Sequence, residues 1–378
     1  MSRRILAIAR KELIHIRRDP WSLLIALLMP IMQMVLIGYG ATLDAKHLAG
    51  YVYDRAGTQD SQALLKRFQA SPYFDVVRTV DHYAALTGAV DAGDAKLGLV
   101  LDPDFARELR QGGPVTVQAI VDATDDNSAN LATSYAEAVV RGYSREVQLE
   151  WLRREGIPDR VAAPAISVEA RTWYNEDLES RNFIIPGVVV MVMALVGALL
   201  SSLTIAREWE RGTMEQLVST PVTAREIMIG KLIPYFGIGL LDAALCVALG
   251  VGWFGVPFRG TVATLFVATA LFLVVVLGIG FVISVVVPNQ LGASQIAILV
   301  TLMPTNMLSG FMFPIDQMPA PVRAVSYTVS ARYYVSILKA VFLKGSGVHD
   351  LAAPLLAMAV YAAIIGTIAT RAFRKTLA

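Results

Sequence analysis

The side chains with the types and spacing for chemistry gather in one short stretch, residues 206–221, AREWERGTMEQLVSTP. Glu208 and Arg211 stand three apart, and Arg211 and Glu215 stand four apart. On a helix these separations let opposite charges pair along one face. Gly212 lowers helix propensity, so its presence suggests a bend or a close approach. Thr213, followed three residues later by Gln216, reads as the cap of a second short helix, and Pro221 stops that segment. Glu210 completes the set. Long apolar runs flank this stretch on both sides, so it is either an idle loop or a contact surface for a cytoplasmic component.

Bond-making chemistry has little to work with. His15, His47, His82 and His349 are scattered, with no HExxH and no paired ligand spacing. Cys246 is the single cysteine and lies in an apolar run, which excludes an internal disulfide and a cysteine metal cluster. No GxxxxGK[ST] occurs, and Gly230-Lys231 lacks the preceding glycine loop. No catalytic residue, metal or cofactor is therefore assigned, and the chain is not expected to hydrolyse a nucleotide by itself. A membrane enzyme with a catalytic extracytoplasmic domain would need a nucleophile–base pair or a metal cluster. Asp122, Asp125 and Asp126 come nearest, and they read as a capped strand-to-helix turn or, alternatively, as a cation site. Asp242 lies halfway along an apolar segment, GLLDAALC. Such an acid faces protein or water rather than lipid. It reads as a neutral or hydrogen-bonded structural acid at a helix interface or as a point on a substrate path. Met303 and Asn306, in a segment broken by Pro304, are the further substrate-path candidates. The many span methionines read as packing residues or, alternatively, as the lining of a permissive cavity.

The elements that hold these residues are set by composition. The chain has 378 residues, 55% hydrophobic and 17% charged, against about 25% charged in soluble domains. Its apolar runs reach the roughly 20 residues of a membrane helix, too long for barrel strands. Residues 41–182 carry 22 Asp/Glu against 15 Lys/Arg, and the remainder carries 9 against 18. The basic excess lies beside the apolar runs, where it signals orientation rather than nucleic-acid binding.

The fold expected is a polytopic α-helical membrane protein of about six transmembrane helices with an inserted extracytoplasmic α/β domain. Residues 1–22 form a cytoplasmic amphipathic interfacial helix whose basic face includes Arg10 and Lys11. Residues 23–40 form transmembrane helix 1, with Pro30 inside it and Trp21 and Tyr39 as interface anchors. Residues 41–182 form the extracytoplasmic α/β domain with its stalk. Strands are expected near 51–53, 74–77, 97–101 and 115–121, and helices over 58–70, 81–92, 103–111 and 127–152. Trp173 suits the headgroup layer, and Pro186-Gly187 marks entry to the second span. Residues 183–370 hold transmembrane helices 2–6, with a cytoplasmic coupling segment at 206–229 and an extracytoplasmic segment at 314–350. Gly278, Gly280 and Ser284 suggest close helix packing in the fourth span. Residues 371–378 are a basic cytoplasmic tail. Six spans put both termini on the same side, and both ends are basic.

Four stretches give the chain a family likeness. They are RKELIHIRRDPWSLLIALLMPIMQMVLIGY from Arg10, WYNEDLESRNFIIPG from Trp173, AREWERGTMEQLVSTPVTAREIMIGKLIPY from Ala206, and LSGFMFPIDQMPAPVRAVSYTVSARYYVSILKAVFLKG from Leu308. With these the chain resembles the permease subunit of ABC-2 type exporters, in the branch with a large extracytoplasmic domain between the first two spans. Glu176 and Ser330-Ala331 depart from the family pattern, at positions with no assigned chemistry.

The resemblance implies an export permease of the bacterial inner membrane, multi-pass, with both termini cytoplasmic. It implies a hydrophobic or amphipathic substrate and a separate cytoplasmic ATPase subunit that binds ATP and Mg. It implies a second permease copy or close homologue, contact with membrane lipid, and work with a periplasmic adaptor and an outer-membrane channel. Glu208, Glu210, Arg211, Gly212, Thr213 and Glu215, with Arg10 and Lys11 of the N-terminal helix, are the implied ATPase contacts. A rival reading is a non-transporting scaffold or sensor that signals through 206–221.

Overall fold

A computed structural model describes residues 2–40, 47–111, 115–154, 174 and 179–373. The chain divides into two compact units, Met1–Ala41 with Thr172–Ala378, and Thr42–Arg171.

The first unit is helical and is built around α7 (Ser180–Glu210), whose residues from Ile184 to Ala198 are all buried. Four further helices, α9 (Ala224–Gly252), α10 (Val262–Val286), α11 (Gln290–Leu308) and α14 (Ala352–Ala372), are, like α7, long and apolar enough to cross a membrane. α2 (Pro20–Gly40) is apolar from Leu23 onward and carries Pro30 inside it. Within their apolar windows, 83% of α7 is buried but only 17% of α14. That gradient makes α7 the core and leaves the outer helices facing hydrocarbon. This is the architecture of a polytopic α-helical membrane protein.

The segment boundaries differ from the sequence reading in three places. Pro186 does not mark a helix start, because α7 begins at Ser180 and carries the proline inside. Residues 206–210 belong to α7. Residues 224–229 belong to α9, whose start is fixed by a capping box between Thr223 and Glu226. Only residues 211–223 connect the two, including the short α8 (Met214–Ser219). The expected segment at 314–350 contains α12 (Ala320–Ser326) and α13 (Ser330–Lys339), followed by a π turn at Ala340–Lys344. α13 buries Ala331, Tyr334, Val335 and Leu338, an apolar stripe at helical spacing. Tyr334 stacks on Phe272 at 4.3 Å and shares a 2.8 Å hydrogen bond with Thr269.

Small residues in α10 allow close packing on α7. A Cβ at Gly280 would stand 2.5 Å from the Ala198 carbonyl oxygen. One turn further, the Ser284 hydroxyl accepts from the Ile205 and Ala206 backbone N–H groups at 2.7 and 2.9 Å. At the opposite end of α9, Trp253 donates its indole N–H to the Tyr39 hydroxyl at 2.9 Å. Trp173, Arg374 and Lys375 lie outside the described residues, as does the side chain of Trp21.

The second unit carries a four-stranded sheet of order β2-β1-β3-β4, formed by β1 (Leu48–Asp54), β2 (Phe74–Thr79), β3 (Leu97–Leu101) and β4 (Gln118–Val121). β1 is parallel to β2 and β3, and β4 runs antiparallel to β3. Every residue of β3 is buried, as expected of a strand covered on both faces. Parallel strands need crossovers, and α3 (Gln59–Ala70) and α4 (Tyr83–Asp91) supply them. α5 (Phe105–Arg110) and the long α6 (Asp126–Arg154) follow β3 and β4. Asp125 accepts from the Ser128 N–H at 3.2 Å and so caps the start of α6. Asp122 is bonded to Lys96 and Thr124. Among the described residues no three metal-binding side chains meet.

The Lys96 ammonium and Thr124 hold the Asp122 carboxyl well below the usual carboxylate range. A carboxyl depressed in the folded state stabilises fully above its unfolded value of about 4, and that stability is lost as pH falls through the folded value. Residues 45–170, expressed alone, should unfold cooperatively. Asp122→Asn should lower the thermal midpoint at pH 7, and the gap to wild type should shrink as the pH drops below about 4. Circular dichroism melts across pH test both statements, and a gap independent of pH would contradict the assignment.

Candidate functional site

α1 (Ser2–Arg18), the end of α7, α8 and the start of α9 meet at one junction. At its centre is Lys231 of α9, only 1% exposed. Its Nζ donates to a Glu12 carboxylate oxygen and to Glu208 Oε1, the latter at 2.9 Å. It also approaches the Thr204 carbonyl at 3.4 Å. Lys11 reaches the same Glu208 oxygen at 3.1 Å. The Thr213 hydroxyl donates to the other oxygen of Glu208. Two ammonium groups and two carboxylates thus neutralise one another across three helices. A buried ion without partners costs several kcal/mol, and removing one member of such a set costs about 3–5 kcal/mol. The cluster therefore fixes α1 to the span helices.

Local sequence builds this arrangement. Ala9, Glu12 and Ile16 form the buried stripe of α1, at spacings of three and four. A Cβ at Gly230 would lie 2.7 Å from Ile8 Cβ and 3.1 Å from the Ile5 carbonyl oxygen. Only glycine admits that approach, which places Glu12 over Lys231. At the end of α7, Gly212 takes φ +66°. The Gly212 N–H donates to the Trp209 carbonyl and the Thr213 N–H to the Glu208 carbonyl, both at 3.1 Å. This Schellman turn satisfies the last carbonyls of α7 and needs a left-handed residue. Met214 then drops into a core with Ile205, Ile227, Phe281 and Phe373, which anchors α8 from below. Arg4 donates to the Pro221 carbonyl at 2.7 Å and ties α1 to the far end of the connection.

The sequence-derived residues separate into two groups. Glu208, Gly212, Thr213 and Lys11 build the junction. Glu210 accepts from the Gln290 N–H at 2.7 Å, satisfying an orphan donor at the start of α11. Arg10, Arg211 and Glu215 remain exposed. The proposed pairs Glu208–Arg211 and Arg211–Glu215 do not form. Lys231 draws Glu208 inward, and the turn at Gly212 removes the helical register between Arg211 and Glu215. Arg211 instead contacts His15 Nε2 at 2.8 Å. Glu12 and Lys231 were missed by sequence reasoning. The signal was present, since a lysine at the head of an apolar run requires a partner.

A cleft of about 360 Å³ opens beside the cluster, lined by Lys11, His15, Arg207, Arg211 and the buried ions.

The substrate-path candidates are not brought together. Asp242 on α9 is fully buried, and neither carboxylate oxygen has a hydrogen-bond partner among the described residues. Of the two forms expected of an interface acid, neutral or hydrogen-bonded, the hydrogen-bonded one is not what this conformation contains. Asn306 Oδ1 on α11 is likewise buried without a partner, whereas Met303 is 55% exposed. α9 and α11 each pack on α7, without an extensive contact of their own.

Comparison with known proteins adds a separate line. Residues 20–371 match the family model described as ABC-2 family transporter protein. The chain is 38% identical over 345 residues to the "Probable multidrug ABC transporter permease YbhS" of Escherichia coli K12, covering 91% of this chain and 89% of that protein. It is 28% identical over 375 residues to the "Probable multidrug ABC transporter permease YbhR" of the same organism, covering 99% of each. It is 27% identical over 295 residues to the E. coli "Inner membrane transport permease YhhJ", covering 77% of this chain and 76% of that protein.

Removing one member of the charge cluster should be worse than removing a pair. Glu12→Gln or Lys231→Met alone should cost about 3 kcal/mol of stability in denaturant-titrated micelles. The double variant Glu12→Gln/Lys231→Met leaves Lys11 with Glu208 and should cost clearly less than the sum. Additive losses would mean the charges are not coupled.

Proposed function

This chain belongs to the ABC-2 family of transporter proteins, and on that premise we propose that it is the permease subunit of an ATP-driven exporter. A multi-pass membrane permease is the established part of this reading. The direction of transport, the partners and the site roles are the proposal. The substrate is a hydrophobic or amphipathic molecule taken from the cytoplasm or the inner leaflet. ATP and Mg are bound by a separate cytoplasmic ATPase subunit. A second permease copy or close homologue completes the membrane part, and a periplasmic adaptor and outer-membrane channel continue the route.

The observation that carries the reading is the junction of α1, α7, α8 and α9. A force applied to α8 reaches α7 through Met214 and reaches α9 through Glu208 and Lys231. α7 is the helix on which α2, α9, α10 and α11 pack, and α14 packs in turn on α10. A push on a six-residue helix anchored at both ends therefore displaces the transmembrane core instead of being absorbed by a loop. Arg10 on α1, Arg211 and Glu215 are exposed and are assigned to the partner-facing surface. Asp242, Met303 and Asn306 are assigned to the substrate path. The support for Asp242 is its unpartnered carboxylate, which leaves hydrogen-bonding capacity unused in this conformation.

The topology that goes with this mechanism has six crossings, by α2, α7, α9, α10, α11 and α14. The termini and the 211–223 connection are cytoplasmic, and the unit Thr42–Arg171 is extracytoplasmic. Basic residues beside the first and last of these helices support the orientation.

Single cysteines at Gln59 and Thr220, in a Cys246→Ser background, should react with an impermeant thiol reagent from opposite sides of the membrane. Labelling of both from outside would sink the topology.

Glu215→Arg should lower co-purification of the ATPase about tenfold, as expected for reversal of an interface charge. Export should fall with it, while membrane insertion persists. The same reversal at Glu150, exposed in the other unit, should change neither. Pull-down and export at equal expression decide, and wild-type behaviour of Glu215→Arg would remove the coupling role.

A further inference from the structure

A second cavity, of about 250 Å³, lies among the membrane helices and shares no lining residue with the cleft at the junction. Its floor is Phe272 and Val276 of α10 with Ala194 of α7. One wall is α11, through Val300, Thr301 and Thr305, and the other is α14, through Tyr361 and Ile365. Thr328 and Ser330, leading into α13, border one end. α11 packs on α7 and α14 on α10, without an extensive contact between α11 and α14 themselves. The cavity occupies that gap. Val300 is 47% exposed at its rim, beside the equally exposed Leu299 and Met303, so the space opens towards hydrocarbon.

Among the described residues the lining holds no Asp, Glu, Lys, Arg or His. Its polar side chains are all hydroxyls, and three of them are used by the protein. Thr301 donates to the Ala297 carbonyl at 2.6 Å, Thr328 to the Val325 carbonyl at 2.7 Å, and Tyr361 to the Tyr327 carbonyl at 2.6 Å. Thr305 differs. It is 3% exposed, yet its hydroxyl makes no hydrogen bond among the described residues. The hydroxyl of the half-buried Ser330 makes none either. Pro304, also in the lining, has no N–H to offer the Val300 carbonyl one turn back. A buried hydroxyl without a partner is costly, and a ligand oxygen beside Thr305 would remove that cost. A charged ligand would find no counter-charge. The volume falls below the roughly 300–1,000 Å³ of drug-sized sites, so the occupant is compact.

We propose that this cavity binds a compact, uncharged lipophile with one hydroxyl or carbonyl group, drawn from the hydrocarbon between α11 and α14. Its oxygen pairs with the Thr305 hydroxyl, and its apolar body lies against Phe272, Val276 and Ile365. Such a molecule would bridge α11 to α14. The site stands independently of export, because it rests on the cavity alone.

The test uses the purified full chain in micelles, irradiated with a photoreactive diazirine octanol, with adducts located by peptide mass spectrometry. Adducts should fall on the lining, around Val300, Thr305, Ser330 and Tyr361, and excess plain octanol should remove them. The matching diazirine octanoic acid, ionised at neutral pH, should label these positions at least about tenfold less, as expected of an ion buried without a partner. Thr305→Val keeps the shape and removes the hydroxyl. It should weaken octanol labelling about fivefold, the value of roughly one hydrogen bond, and leave labelling by a diazirine octane unchanged. Its thermal midpoint should not fall, because no protein hydrogen bond is lost. Val300→Trp, at an exposed position, blocks the mouth and should abolish labelling by both probes, which keeps the test decisive if Thr305→Val does not fold. Adducts spread over lipid-facing positions such as Leu299 and Leu356, without competition, would mean partition into the micelle and would overturn the proposal. Equal labelling by the acid would overturn the uncharged class, and full labelling of Val300→Trp would overturn the location. Competition by diacylglycerol as strong as by octanol would overturn the compact occupant. No transport measurement enters, so a negative result here leaves the export reading untouched.

Discussion

Lys231 sets the terms for the rest of the helical unit. An ammonium group at the head of an apolar helix cannot stay buried without counter-charges, and the chain brings two from distant positions. Glu12 arrives on an N-terminal helix and Glu208 on the end of the central span. Meeting that requirement explains features that otherwise look unrelated. α1 must lie close enough to α9 for glycine to be needed at position 230. The central helix must run on to Glu210 rather than stop at the edge of its apolar run. Thr213 must turn back to occupy the second carboxylate oxygen, which places the tight turn at Gly212.

The packing hierarchy follows from the same junction. α7 is buried continuously from Ile184 to Ala198, and the helices around it expose apolar faces suited to hydrocarbon. Lipid offers no hydrophobic gain for helix association. Close contact through Gly280 and the hydroxyl of Ser284 therefore does much of the work of joining α10 to α7. The second unit follows the rules of a water-soluble fold. It has a fully buried β3, capped helices and paired surface charges.

Much of this was legible before any coordinates. Apolar run length marked the helices of the membrane unit, and shorter apolar runs marked strands close to those observed, because burial selects apolar residues locally. The glycine at 212 signalled a bend or a close approach, and the threonine at 213 a second short helix, although its hydroxyl turns to Glu208. What stayed hidden depended on contacts between distant parts of the chain. Local spacing offered Arg211 as the partner of Glu208, three residues away. The buried ammonium of Lys231, twenty-three residues on, competes better because it has no water to turn to. The apolar stripe of α13 was overlooked because prolines and charges on either side of it made the whole segment read as polar. Asp242 was legible as an anomaly but not in kind, since its lack of a partner is a fact of three-dimensional surroundings.

The charge count of the junction has an electrical consequence. Lys11 and Lys231 against Glu12 and Glu208 sum to zero. The transmembrane voltage does about 2.3 kcal/mol of work on each unit charge per 100 mV crossed, but it does none on a neutral group that moves as one body. This device can therefore shift with its helices without sensing the membrane potential. The charges on which the potential can act at this junction are those outside the cluster, among them Arg207 and Arg211.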